Sequence, residues 1–165
     1  MLDASRKIFL LPGQLTIARN HEEITTILGS CVSIVLHSPT AHISAVNHAQ
    51  QPAKGGGISC RETCPHPCGK AEIPDHKYVT CSFDFIWERL MALGISKGEL
   101  QVGLYGGATS DAMAGNPYGV SQSNIAAAEA VLASRGLRIH HRDVGGRHAR
   151  KLRHDSSSGI TIING

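Results

Sequence analysis

Short apolar segments with many β-branched residues make up much of the chain, and apolar residues occupy every second position at residues 100–104. A period of two is typical of half-buried β-strands, and Pro and Gly mark the turns between the segments. The segments at residues 24–28 and 31–37 meet at a bend that contains Gly29 and Ser30. The pattern predicts strands within residues 8–18 (two strands around a Pro-Gly turn), 24–28, 31–37, 42–47, 100–105, 137–141 and 159–163.

Two longer segments carry apolar residues at every third or fourth position, which is the period of an α-helix. We predict helices at residues 80–93 and 121–134, each followed by a glycine that can end it. Between about residues 50 and 78, Pro and Gly recur too often for a regular element, so we predict an inserted loop. The element order predicts one α+β domain over residues 1–165, with a mixed or antiparallel β-sheet packed in layers against about two main helices.

The composition is that of an ordinary globular protein, with 41% hydrophobic and 18% charged residues and a formal net charge of +3. No segment is long and apolar enough to span a membrane, and the N-terminus lacks the apolar region of a signal peptide. We therefore expect a cytoplasmic protein without membrane insertion. The basic segment at residues 140–154 has no interleaved aromatic residues to stack on bases, which argues against nucleic-acid binding and leaves an acidic protein partner as an alternative to a solvated surface.

Four of the five cysteines lie in or near the predicted loop. In a reducing compartment, clustered cysteines indicate a metal or catalysis before a disulfide. Cys60, Cys64 and Cys68 could hold a structural zinc ion or an iron–sulfur cluster. The residues available as a fourth ligand are His66, His76 and Cys81. The alternative is a loop of thiols that bind no metal or form an adventitious disulfide.

Cys31 stands apart from the other cysteines, between the bend and an apolar strand. A thiol at such a junction is either a buried packing residue or a nucleophile held clear of the strand, with Gly29 allowing close backbone approaches. A cysteine nucleophile needs a base, and His48 ends the strand that follows the one carrying Cys31. If those two strands pair, sulfur and imidazole come within reach of each other. The alternative for His48 is an ordinary surface or hydrogen-bonded histidine.

Six motifs follow one another along the chain: Thr25-x-x-Leu28-Gly29-Ser30-Cys31-Val32, Asn47-His48, Gly106-Gly107-Ala108, Asn124, Asp143-x-Gly145-Gly146 and Arg150. In this order they resemble the chemoreceptor glutamine deamidases, the CheD family. The resemblance extends from about residue 11 to residue 163 and is interrupted mainly by the cysteine-rich loop, whose cysteines are not part of the family pattern. The Leu-Gly-Ser-Cys-Val and Asn-His motifs together are the specific part.

The resemblance implies a Cys-His-Thr triad, which maps onto Cys31, His48 and Thr25. Thr25 precedes Cys31 by six positions and His48 follows it by seventeen, as in the family. Thr25 would orient the imidazole through its hydroxyl or its backbone carbonyl, and we assign the adjacent Thr26 a purely structural role. Backbone amides around Gly29, Ser30 and Cys31 are the expected donors to a tetrahedral oxyanion.

The remaining family motifs are expected to support the site. Gly106 and Gly107 would let two backbones pass closely near the active site, and they lack the Lys-Ser/Thr of a phosphate-binding loop. Asn124 and Asp143, the latter before a turn at Gly145 and Gly146, are expected to hydrogen-bond loop backbone, with contact to substrate as the lesser alternative.

The resemblance implies a cysteine amidohydrolase that converts receptor glutamines to glutamate through a thioester, with methyl-ester hydrolysis as a side activity. Catalysis would require no cofactor. The expected partners are the cytoplasmic domains of chemoreceptors and a phosphatase resembling CheC. The competing hypothesis is a non-catalytic binding module on the same fold, in which the cysteine-rich loop senses metal or redox state.

Overall fold

The computed structural model describes residues 5–53, 76–110 and 119–165. Within these ranges the two predicted helices are present with bounds close to those expected from the sequence. The elements are β1 (Arg6–Phe9), β2 (Leu15–Arg19), β3 (Glu22–Leu28), β4 (Val32–Ser38), β5 (Ile43–Asn47), α1 (Val79–Ala92), a 3₁₀ turn (Lys97–Glu99), β6 (Gln101–Gly106), α2 (Val120–Ser134), β7 (His141–Val144), β8 (Arg150–Asp155) and β9 (Thr161–Asn164).

The described strands form two sheets. One has the order β1-β3-β8-β9 and the other the order β2-β5-β4-β6-β7. Strands β1 and β3 pair in parallel, as do β6 and β7, and the other neighbours are antiparallel. The predicted α+β class is confirmed, and the mixed sheet that the sequence indicated consists of two sheets.

The five-stranded sheet lies between the helices and the four-stranded sheet. Its central strand β4 is buried along its whole length, and its alternate side chains serve two cores. Ile34 and Leu36 pack with the apolar faces of α1 and α2, whereas Val35 packs with Ile24 and Leu152 of the four-stranded sheet. A residue on β4 therefore faces either the helices or the second sheet according to its position in the alternation.

Two predictions for the C-terminal part are wrong. The strand predicted at residues 137–141 begins only at His141, and the basic segment includes β8, which the hydrophobic pattern did not indicate. In β8 only Leu152 and His154 point inward, and charged side chains such as Lys151 and Arg153 face outward. A strand that contributes one aliphatic side chain to the core gives a weak hydrophobic signal, although its burial still alternates with the period of two.

A chain of hydrogen-bonded polar side chains lies between the two sheets. The hydroxyl of Ser44 is 2.8 Å from His37 Nδ1 and 2.8 Å from His154 Nε2, and His154 Nδ1 is 2.8 Å from the hydroxyl of Thr161. The pKa of His154 is lowered from 6.5 to about 4, mainly by burial and in part by the nearby His37, while Asp155 acts in the opposite direction. Both imidazoles are therefore neutral in the folded protein near pH 7.

The low pKa of His154 predicts that the fold loses stability in acid. The unfolded chain takes up the proton near pH 6.5 and the folded chain only near pH 4. The contribution to stability is therefore complete above pH 6.5 and is lost as the pH falls from 6.5 to 4, by roughly 3 kcal/mol. Urea unfolding at pH 7.5 and pH 4.5 should show a smaller acid loss in His154→Gln than in the wild type, and equal losses would contradict the assignment.

Candidate active site

Cys31 and His48 lie on the same face of the β4-β5 strand pair. Val35 pairs with Val46, and farther along Val32 exchanges two backbone hydrogen bonds with Ala49. The register therefore sets Cys31 diagonally from His48, and such diagonal neighbours have Cα atoms about 7–8 Å apart, with Cβ atoms closer. The Cys31 side chain is partly buried against the core between the sheets, the side to which His48 also points. The pairing predicted for the two strands is thus present.

The backbone of the bend before Cys31 is held by the segment that follows β6. The amide of Gly107 donates to the Cys31 carbonyl at 2.8 Å, and the amide of Ala108 donates to the Gly29 carbonyl at 2.8 Å. Gly106 has a positive φ of 105°, and a Cβ there would collide with the Cys31 carbonyl oxygen. The close approach predicted for Gly106 is present, whereas no described atom lies within 4 Å of a Cβ added at Gly29.

Asn124 fastens the same bend from the helix side. Its side-chain nitrogen donates to the Ser30 carbonyl at 3.1 Å and to the Gln50 carbonyl at 3.0 Å. Because Ser30 precedes Cys31 and Gln50 follows His48 by two residues, one buried amide ties together the two chain segments that carry the proposed triad's sulfur and imidazole. The expectation that Asn124 hydrogen-bonds loop backbone agrees with this geometry.

Asp143 acts differently from the expectation. Its carboxylate accepts a hydrogen bond from Arg150 Nε at 2.9 Å, and within the described residues it is connected to the loop backbone through that guanidinium. Arg150 in turn donates to the carbonyls of Gly145, at 2.6 Å, and Gly106, at 3.4 Å. Gly145 and Gly146 both have positive φ, as a glycine turn requires. The Asp143–Arg150 pair therefore braces the turn that packs beside Gly106.

The hydroxyl of Thr26 fixes the tautomer of His48. Thr26 Oγ1 lies 2.8 Å from the Leu10 carbonyl oxygen and 2.7 Å from His48 Nδ1. The carbonyl can only accept, so the single hydroxyl proton of Thr26 goes to Leu10 and the hydroxyl accepts from Nδ1–H. The ring nitrogen Nε2 is then unprotonated, which leaves it able to accept a proton.

Thr25 does not make the orienting contact that the sequence analysis assigned to it. Its carbonyl accepts from the amide of Leu10, at 2.9 Å, and its side chain points away from the inner face of β3. Along β3, Ile24, Thr26 and Leu28 are buried, whereas Ile27 is 53% exposed. The alternation of burial along the strand therefore gives the contact to Thr26 in place of Thr25. The apolar pattern of the sequence did not show it, because the outward-facing residue after Thr26 is an isoleucine.

Burial sets the protonation states of the two reacting groups. The pKa of the Cys31 thiol is raised above 9.0 by burial, although the Ser30 hydroxyl and the Cys31 amide lower it. Burial also lowers the pKa of His48 below 6.5, and the Leu10 carbonyl partly offsets this effect. Among the described hydrogen bonds none joins Cys31 to His48. At neutral pH the structure therefore holds a neutral thiol and a neutral imidazole, not a thiolate–imidazolium pair.

These pKa directions predict how Cys31 reacts with iodoacetamide. Because only the thiolate is alkylated, the rate should be low at pH 7 and should keep rising above pH 9. Trypsin releases residues 20–54 as one peptide, in which Cys31 is the only cysteine, so mass spectrometry can follow this site alone. A rate that is already on its plateau at pH 7 would indicate a preformed thiolate and contradict the assignment.

The predicted metal ligands Cys60, Cys64, Cys68 and His66 lie outside the described residues, so the metal site stays a prediction. Among the residues that are described, no group of three or more His, Cys, Asp or Glu side chains could hold a metal ion. Cys81 is buried in α1, and the His76 ring packs on Phe85 with ring centroids 4.7 Å apart.

Comparison with known proteins identifies the family. The family model described as CheD chemotactic sensory transduction matches residues 65–164, which is more than half of the chain. The chain belongs to the CheD family. This confirms the resemblance that the sequence motifs indicated.

Several CheD relatives align with nearly the whole chain. A probable chemoreceptor glutamine deamidase CheD from Halorhodospira halophila is 32% identical over 160 residues, which cover 95% of this chain and 70% of that protein. Proteins with similar names from Maridesulfovibrio salexigens and Geobacter sulfurreducens are 31% and 30% identical, over 96% and 94% of this chain and 91% and 88% of their own lengths. In the described part of this CheD chain, neither helix is long and apolar enough to cross a membrane.

Proposed function

We propose that this chain is a cysteine amidohydrolase that converts glutamine side chains of chemoreceptors to glutamate. The observation that carries the proposal is the placement of His48, whose Nδ1–H is held by Thr26 while Nε2 is left as a base on the face that carries Cys31. Membership of the CheD family and relatives named as chemoreceptor glutamine deamidases support the choice of substrate.

In the first half-reaction His48 Nε2 takes the proton of the Cys31 thiol as the sulfur attacks the carboxamide carbon of glutamine. The carbon–nitrogen bond then breaks, and the imidazolium gives its proton to the departing nitrogen, which leaves as ammonia. The product is a thioester between Cys31 and the receptor side chain. A methyl ester at the same position would pass through the same thioester with methanol as the leaving group, so methyl-ester hydrolysis is expected as a side activity.

The oxyanion formed in each half-reaction needs hydrogen-bond donors. The amide of Val32 already donates to the Ala49 carbonyl at 3.0 Å, so it is not available to the oxyanion. The amide of Cys31 lies close enough to the sulfur to lower the thiol pKa, so it points to the place where the tetrahedral centre would form. We assign the oxyanion to this amide and its neighbour, that of Ser30.

The receptor would approach from the side of the bend. A cavity of about 380 Å³ opens beside Gly29 and Ser30, and its wall includes the exposed side chain of Arg147. Basic residues along β8 and the preceding turn would attract an acidic receptor bundle. The substrate would be the cytoplasmic part of a chemoreceptor, which places the reaction in the cytoplasm, and a phosphatase resembling CheC is the further partner expected.

The proposal is tested by incubating the protein with a cytoplasmic fragment of a chemoreceptor. Peptide mass spectrometry should detect conversion of specific glutamines to glutamates, and the conversion should disappear in Cys31→Ala. If several receptor fragments remain unmodified although Cys31 can be alkylated, the proposal is wrong and a non-catalytic binding module becomes the better hypothesis.

A further inference from the structure

Ser33 carries a polar group that the fold leaves unused. The residue is fully buried on β4, and its hydroxyl has no hydrogen-bond partner among the described residues. A buried hydroxyl without a partner destabilises a protein by about 1–3 kcal/mol, so each such group calls for an explanation, of which a catalytic role is one. An alanine at this position would fill nearly the same space without this cost.

The position of Ser33 connects it with the proposed active site. The register of β4 and β5 sets Ser33 directly opposite His48, and the alternation of β4 puts it on the same face as Cys31, two residues away. Directly opposed residues of antiparallel strands have Cβ atoms about 4.5–5.5 Å apart. The Ser33 side chain therefore lies in the same row of the sheet as His48 and on the same face as Cys31.

The other neighbour of Ser33 turns away from it. Tyr105 pairs with Ser33 from β6, but its ring leans along the strand over Gly103, where it takes the space of a Cβ. The phenol hydroxyl is hydrogen-bonded to Thr161 of the four-stranded sheet. Of the two residues that flank Ser33 on neighbouring strands, His48 and Tyr105, His48 is therefore the one whose side chain Ser33 can assist.

We propose that the Ser33 hydroxyl positions the water that hydrolyses the thioester, an inference that rests on the proposed function. The water gives one proton to His48 Nε2 as its oxygen attacks the thioester carbonyl carbon. The carbon–sulfur bond then breaks, the proton on His48 returns to the Cys31 sulfur, and the receptor side chain leaves as a carboxylic acid that ionises.

The protonation state of the site after the first half-reaction fits this role. Nε2 is unprotonated at this stage, because its proton has left with the ammonia. The other ring proton stays on Nδ1, where it is hydrogen-bonded to Thr26. A buried water needs at least two polar partners, and Nε2 alone supplies one. The Ser33 hydroxyl supplies a second from across the strand pair, which would hold the water oxygen toward the carbonyl carbon.

Competition between water and hydroxylamine measures this role directly. With hydroxylamine present, the thioester yields glutamate with water and glutamyl hydroxamate with hydroxylamine, and mass spectrometry of the receptor peptide resolves the two. In Ser33→Ala the ratio of hydroxamate to glutamate should rise at least about tenfold, because a positioned water is lost while hydroxylamine needs no positioning by the protein. The sum of both products should stay within about twofold of the wild type, because acylation does not use Ser33.

Two variants and a melting curve separate this role from a structural one. Ser33→Thr keeps the hydroxyl and should keep the wild-type product ratio. Ser44→Ala removes another buried hydroxyl on the same face and should also leave the ratio unchanged. The Tm of Ser33→Ala should equal or exceed that of the wild type, since an unpartnered buried hydroxyl is removed.

An unchanged product ratio in Ser33→Ala, or an equal loss of both products, would overturn the inference while leaving the deamidase proposal intact. A wild-type protein that forms neither product from several receptor fragments overturns the proposed function and this inference with it.

Discussion

Replacement of Cys31 by alanine is expected to abolish glutamine conversion, with a loss of at least about a thousandfold in rate. The thiol is the group on which the reaction depends most, since the neighbouring serine hydroxyls are much weaker nucleophiles than a thiol near neutral pH. The rate would be measured as glutamate formed in a receptor fragment over time. The same preparation should bind the fragment, because binding does not require the thiol.

Stability and a second cysteine provide the controls for this variant. Cys31 is only partly buried beside the inter-sheet core, so the alanine variant should unfold at a temperature close to that of the wild type. Cys81→Ala removes a fully buried cysteine from α1 and should lower stability without abolishing conversion. Conversion at an undiminished rate in Cys31→Ala would show that another group attacks the amide.

Replacement of Thr26 by valine is expected to lower kcat/KM by about 10- to 150-fold, which corresponds to about 1.5–3 kcal/mol for a hydrogen bond to a group that becomes charged. Valine keeps the shape of threonine but cannot accept from His48 Nδ1–H, so the ring loses the contact that fixes its tautomer. Steady-state kinetics on a receptor fragment would measure the effect. Thr26→Ser keeps the hydroxyl and should restore most of the rate.

The adjacent threonine is the matched control. Thr25→Val makes the same chemical change one residue away, on the outer face of β3, and should leave kcat/KM within about twofold of the wild type. A large loss in Thr25→Val together with a small loss in Thr26→Val would return the orienting role to Thr25 and contradict the geometry between the sheets.

Most elements of the fold could be predicted from local patterns, but their arrangement could not. Both helices follow from hydrophobic periodicity, and the strands around Cys31 follow from short apolar segments rich in β-branched residues and bounded by turn residues. The division into two sheets depends on long-range pairing, such as that of β3 with β8, which no local pattern encodes. Strand β8 was missed because charged residues occupy its outer face and only Leu152 supplies an aliphatic side chain to the core.

For the candidate site too, the sequence indicated some of the residues but not all of their contacts. The motifs identified Cys31 and His48, and the register places both on one face of the sheet. The choice between Thr25 and Thr26 needed the burial alternation of β3, which the sequence does not show because the exposed position after Thr26 is an isoleucine. Family spacing favoured Thr25, whereas the observed contact is made by Thr26. The unpartnered hydroxyl of Ser33 could not be predicted, because it depends on where the Tyr105 ring lies.

The most direct test of the central claim is the detection of the thioester on Cys31. A mixture of the protein and a receptor fragment would be quenched in acid during turnover and examined by intact-mass and peptide mass spectrometry. The account predicts a covalent adduct whose mass is the sum of the two chains less one ammonia, attached to the peptide of residues 20–54 and absent in Cys31→Ala. Conversion of glutamine to glutamate that proceeds equally in Cys31→Ala, with no adduct at any time, would contradict it.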